Sequence, residues 1–82
     1  MDIVGTVRSV VERHARLARD LTSLGDSGDL YDAGMTSHAS VNVMLALEDA
    51  FEVEFPESML RRETFQSVDA IASAIASLTP VG

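Results

Sequence analysis

Ser37 and His38 stand side by side within "DLYDAGMTSHASVNVML", offering a hydroxyl and an imidazole as neighbours. They do not form a nucleophile and base. Successive side chains on a helix diverge by about 100°, which turns His38 away from the serine. Gly34 does not supply a G-x-S-x-G turn, and a chain of 82 residues has little room for an oxyanion pocket. Two roles remain for the hydroxyl: an ordinary first-turn serine, or one esterified to a phosphate group. Thr36 is a good N-cap for a helix starting at Ser37. The free N–H groups and positive dipole end there would hold a phosphodiester and let its substituent project into solvent.

Other reactive constellations fail on inspection. The chain has no cysteine, which removes disulfides and thiolate metal sites and suits a reducing compartment. Reading "DLYDAGMTSHAS" as a calcium loop from Asp29 places Gly34 correctly at the sixth position. Tyr31, Ala33 and Ser40 then occupy positions needing oxygen ligands or the closing Glu. His14 has no second ligand at useful spacing and reads as a packed or boundary histidine. No catalytic residues and no metal ligands are expected.

The elements that must position Ser37 follow from periodicity. Ile3, Val4, Val7, Val10, Val11, His14, Leu17, Ala18, Leu21 and Leu24 keep the three-and-four spacing of one long amphipathic helix, with Arg8, Glu12, Arg16 and Arg19 opposite and Gly25 as its C-cap. Residues 25–36 form a Gly- and Asp-rich loop anchored at Leu30 and Tyr31. The second helix spans about Ser37 to Glu52. Val53 and Phe55 make an extended exit, residues 56–62 a brief helical turn around Met59 and Leu60, and Ser67 caps a last helix closed by Pro80. The expectation is a single all-α domain over residues 1–82, with three longer helices and one short one.

The formal charge is −7, and its distribution is uneven. Four of the six basic residues lie in the first helix, and none occurs between Asp20 and Leu60, where Glu48, Asp49, Glu52, Glu54 and Glu57 cluster. Such a surface repels nucleic acid and steers basic partners, although an acidic face also serves solubility alone. No apolar run approaches the ~18–20 residues of a membrane span. The N-terminal stretch carries Asp2, Glu12 and Asp20, against a transit peptide. A cytoplasmic monomer is expected.

On the second helix, Ser40, Val43, Met44, Leu47 and Phe51 fall in one arc and should face the core. His38, Asn42, Leu45 and Asp49 fall well away from it, with Glu48 and Glu52 nearby. Leu45 should therefore be exposed within an acidic ring. Isolated exposed leucines usually mean nothing, but this setting suits a docking face.

These residues resemble the acyl carrier protein family. "DLYDAGMTSH" occupies the place of its loop and attachment turn, "VMLALEDAFEVEFPES" its recognition helix and acidic exit, and "ETFQSVDAIASAI" its final helix. The resemblance spans nearly the whole chain and implies an acyl-carrier-protein-like four-helix bundle. It also implies 4'-phosphopantetheine on Ser37, added from coenzyme A by a phosphopantetheinyl transferase, and a carrier rather than an enzyme. Met35, Thr36, His38, Val41, Asn42, Leu45, Glu48, Asp49 and Glu52 are the partner-recognition positions it suggests.

The family's usual Asp before the serine is Thr36, its usual Leu after it is His38, and Ala39 and Asn42 replace common acids. Negative charge is thus reduced where fatty-acid enzymes dock. "LYDAGMTSHASVNVML" and "FEVEFPESMLRRETFQS" are more similar to small stand-alone bacterial carriers. Some of those receive an amino acid from ligases resembling truncated seryl-tRNA synthetases. The implied cargo is an amino acid held as a thioester. The alternative is an acyl chain for a specialised fatty-acid, lipid or polyketide pathway, with acyl-transfer enzymes as partners. An acidic interaction module without an arm is the reading from a different class.

Overall fold

The computed structural model describes residues 2–18 and 20–78, apart from the Thr22 side chain. Arg19, assigned to the first helix, and Pro80, assigned as the last helix's stop, lie outside the described residues. The described chain is all-helical, with no strand among those residues.

Helix α1 runs Ile3–His14, opened by Asp2, whose Oδ1 accepts from the Gly5 amide at 3.1 Å. Val7 and Val11 on its inner face are fully buried. The helix does not continue to Leu24. It stops at His14, Arg16 enters the left-handed region at φ 53°, and a separate four-residue helix, α2, spans Leu21–Leu24.

The reason for the break is tertiary. The Ala18 amide donates to the Ala33 carbonyl at 2.8 Å, joining this segment to the loop ahead of the next helix. Gly34 makes the close approach possible: its φ is 119°, and a Cβ there would lie 2.9 Å from the Ala18 nitrogen. The apolar period survives the break because Leu21 is buried and Leu17 and Leu24 pack against the core from their new orientations. Gly25, at φ 80°, closes α2 in the capping role its position suggested.

Helix α3 spans Ser37–Phe51 and helix α4 spans Val68–Leu78, and α1 packs against both. Val43, Leu47 and Phe51 of α3 meet Val68, Ile71, Ala72 and Ile75 of α4 in one core. Burying a side chain of Leu or Ile size is worth about 1.5–3 kcal/mol, so these positions dominate a domain this small. Ala39 joins the core as well, while Ser40 and Met44, assigned to the core stripe, are only half-buried.

The segment between α3 and α4 holds 3₁₀ turns at Glu57–Met59 and Arg62–Phe65. The first matches the turn expected around Met59. The second, beyond the expected range, sets Phe65 against Phe55 with ring centroids 5.3 Å apart. Ser67 caps α4 as expected, its Oγ accepting from the Ala70 amide at 3.0 Å.

Candidate functional site

Ser37 is the first residue of α3 and is exposed. The backbone of Thr36 is extended, and its Oγ1 accepts from the Ala39 amide at 3.0 Å, which fixes where the helix begins. The Ser40 Oγ donates to the Ser37 carbonyl at 2.7 Å. Neither interaction uses the Ser37 hydroxyl, which has no hydrogen-bond partner among the described residues. The amides of Ser37 and His38 lie in the first turn, where a helix supplies no internal acceptor. The hydroxyl therefore combines access with a local preference for negative charge.

The turn before Ser37 is tied down from several sides. Leu30 is fully buried, its amide donating to the Gln66 carbonyl at 2.7 Å and its carbonyl accepting from the Met35 amide at 3.0 Å. Asp29 organises the same loop. Its Oδ1 accepts from the amides of Tyr31 and Asp32, and its Oδ2 from the Gln66 side chain at 3.2 Å. The Asp32 amide is the main cause that holds the Asp29 carboxyl below its ordinary value, with Gln66, the Tyr31 amide and the Arg62 charge adding to it against an opposing desolvation. No group of three or more His, Cys, Asp or Glu side chains placed to hold a metal occurs among the described residues.

The sequence-derived recognition positions separate into two sets. Thr36, His38, Val41, Asn42, Leu45, Asp49 and Glu52 are exposed, Val41 at 48% and Leu45 at 53%. Met35 and Glu48 are placed differently. Met35 is buried in the core cluster, where it anchors the turn. Glu48 is half-buried, and its Oε2 accepts from the Phe55 amide at 2.9 Å, stapling the helix end to the extended exit.

Residues that periodicity along α3 did not bring to Ser37 lie across from it. A cleft of about 350 Å³ is lined on one side by Ser37, Ser40, Val41 and Met44. Tyr31, Leu60, Arg61, Arg62 and Phe65 line the other. The Arg62 guanidinium lies 4.2 Å from the Tyr31 ring centroid. The adjacent pair "RR", the first basic residues after the long gap, was the available signal. The second 3₁₀ turn that aims them was not readable from spacing.

No helix among the described residues is long and apolar enough to cross a membrane. The family model described as "Phosphopantetheine attachment site" matches residues 5–75. The chain is 39% identical over 70 residues to an aminoacyl carrier protein of Agrobacterium fabrum, covering 85% of this chain and 84% of that one. It is 38% identical over 69 residues to aminoacyl carrier protein 1 of Bradyrhizobium diazoefficiens, covering 84% and 72%. A crystal structure of an engineered Bradyrhizobium japonicum glycine:carrier protein ligase, complexed with carrier protein from Agrobacterium tumefaciens and ATP, contains a similar chain. It has a TM-score of 0.87 and 36% identity, covering 93% of this chain and 99% of that one. A solution structure from Agrobacterium tumefaciens gives a TM-score of 0.71 at 36% identity, covering 90% and 89%. A match over most of the chain, on a bundle whose third helix opens at an accessible serine, identifies this protein as a member of the phosphopantetheine attachment site family, a carrier and not an enzyme, with 4'-phosphopantetheine as its prosthetic group.

Proposed function

We propose that this chain carries an amino acid on a 4'-phosphopantetheine arm esterified to Ser37, loaded by a dedicated amino acid:carrier protein ligase. The carrying observation is the exposed Ser37 hydroxyl, without a hydrogen-bond partner among the described residues, at the capped start of α3 and inside the family match. When bound, the arm supplies a thiol that forms the thioester, a group the cysteine-free chain lacks. The amino acid cargo is supported by the names of the aminoacyl carrier relatives and by the ligase in the similar crystal structure.

The chain's own residues do three things in this reading. Thr36 sets the helix start, so that Ser37 faces an incoming phosphopantetheinyl transferase. The first-turn amides favour the phosphate that results. Thr36, His38, Val41, Asn42, Leu45, Asp49 and Glu52 then offer a docking face, with Leu45 and Val41 as apolar anchors inside a polar rim. Tethering raises the effective concentration of cargo at each docked partner. The protein works as a cytoplasmic monomer.

The test is intact mass after incubation with a transferase and coenzyme A, followed by ligase, ATP and either amino acids or fatty acids. A gain of one phosphopantetheine and then one aminoacyl group supports the proposal. Loading by a fatty-acid ligase alone would replace the amino acid with an acyl chain, and absence of any arm would leave an interaction module.

A further inference from the structure

A depression of about 670 Å³ runs along the outer seam between α1 and α3, with Val10, Leu45 and Ala46 among its lining residues. A smaller hollow of about 330 Å³ adjoins it at Asn42, which lines both, and reaches Thr36 next to the attachment serine. Charge along the seam is sorted by position. Arg13 and His14 line the larger depression and Arg16 and His38 the smaller one, where the end of α1 meets the start of α3. Asp49, near the far end of α3, lines the larger depression as its acid.

Helix stability accounts for only part of this clustering. Arg13 and His14 sit in the last turn of α1, where the dipole favours positive charge. Arg16 lies beyond that helix at φ 53°, a backbone position that glycine or asparagine holds with less strain. His38 lies in the first turn of α3, the end where the dipole offers a cation no advantage. The partners of the other described arginines are plain: Arg8 pairs with Asp26 at 3.3 Å, Arg61 approaches Glu63 at 4.0 Å, and Arg62 stacks on Tyr31. Arg13 and Arg16 are exposed and form no ion pair among the described residues. Glu12, the acid adjacent in sequence, lines a separate hollow with Asp20.

Resting on the carrier reading above, we propose that the α1–α3 seam seats an acidic segment of the amino acid ligase, its carboxylates pairing with Arg13 and Arg16 and an apolar side chain covering Leu45. Guanidinium groups pair with carboxylates in a fixed fork, so two of them set orientation as well as attraction. Asp49 and Glu52 toward the far end of α3 repel the same carboxylates, which leaves one favourable direction along the seam. The acidic end of the segment then lies beside Thr36 and the arm attached to Ser37. This is the reverse of what total charge suggests, since a chain of net charge −7 draws basic surfaces toward it. The seam therefore discriminates: a partner with bases aimed at the start of α3 meets Arg13, Arg16 and His38 there.

The experiment uses the full-length holo protein, made with a transferase and coenzyme A and verified by intact mass, with the amino acid:carrier protein ligase of the same host. The KM for the carrier and kcat are measured at low and high salt for wild type, R13Q, R16Q and R13E/R16E. S73E, at an exposed position of α4, controls for added negative charge away from the seam. Each glutamine variant should raise KM about threefold, the size expected of one exposed ion pair. R13E/R16E should raise it about tenfold or more, because like charges then face each other. In all of them kcat should stay that of wild type, and S73E should match wild type in both constants. Salt should raise KM for wild type and lower it for R13E/R16E, since it screens attraction in one and repulsion in the other. Circular dichroism reports folding, and the two glutamine variants carry the test if charge reversal weakens α1. Unchanged KM across the variants overturns the seam while leaving amino acid loading intact. A lower KM for R13E/R16E also overturns it and makes the partner basic. Absence of loading of wild type overturns the amino acid reading and this inference with it.

Discussion

The Glu48 carboxylate accepts the Phe55 amide at 2.9 Å across seven residues, while the Glu48 carbonyl accepts the Val53 amide at 3.1 Å. One residue thus closes α3 twice. With Glu52 as a left-handed cap at φ 53°, it folds the exit back so that Phe55 reaches the core and meets Phe65. Glu48 belongs to the acidic face by sequence and to the scaffold by structure. Replacing it with alanine strands a partly buried amide, at a cost of about 1–3 kcal/mol. Urea denaturation should show that loss, while the extent of Ser37 modification at a temperature where the variant is folded should equal that of wild type.

Thr36 sets the first turn through the Ala39 amide. Thr36→Ala should lower stability by about 1 kcal/mol, a fall of about 4–8 °C in Tm for a domain of this size. Thr36→Ser should keep most of it. Thermal unfolding followed by circular dichroism separates the two, and equal melting of both variants would remove the cap from the account.

Asp29 couples the loop to acidity. Its carboxyl is lowered from 3.8, first by the Asp32 amide hydrogen bond, so the folded state prefers it ionised. A depressed folded pKa contributes stability that is complete above the unfolded value and disappears as pH falls through 3.8 toward the lower folded value. Asp29→Asn should therefore be less stable than wild type at neutral pH, and the gap should narrow below 3.8. Urea midpoints for both proteins at the two pH values check the sign, and a gap that widens in acid would contradict it.

Leu47 is fully buried in the core on the face of α3 that packs against α1, whereas Leu45 two residues earlier is 53% exposed. Leu47→Ala should cost about 2–5 kcal/mol. Leu45→Ser should leave stability nearly unchanged and raise the ligase KM by roughly tenfold, the effect of losing an apolar anchor at an interface. Chemical denaturation and loading kinetics on holo protein read the two effects separately. Undiminished loading of Leu45→Ser would move the docking face elsewhere on the surface.

The main helices, the cap at Thr36, the exposed Leu45 and the place of Ser37 were legible because each rests on local rules: period, capping chemistry and helix geometry. The break after His14 was not. Leu17, Leu21 and Leu24 keep a helical spacing in sequence, and the Ala18–Ala33 hydrogen bond that stops the helix joins residues fifteen apart. Met35 and Glu48 read as surface positions for the same reason. Met35 is drawn inward by the Leu30 turn, and Glu48 by the Phe55 amide. Arg61 and Arg62 were visible as a dipeptide, but only the second 3₁₀ turn carries them across to Ser37.

The central claim is that the Ser37 hydroxyl carries the arm. Intact mass spectrometry of wild type and Ser37→Ala, each incubated with a phosphopantetheinyl transferase and coenzyme A, tests it most directly. Wild type should become heavier by one phosphopantetheine and Ser37→Ala should keep its apo mass. An equal gain on both proteins would contradict the assignment, since another side chain would then be the acceptor.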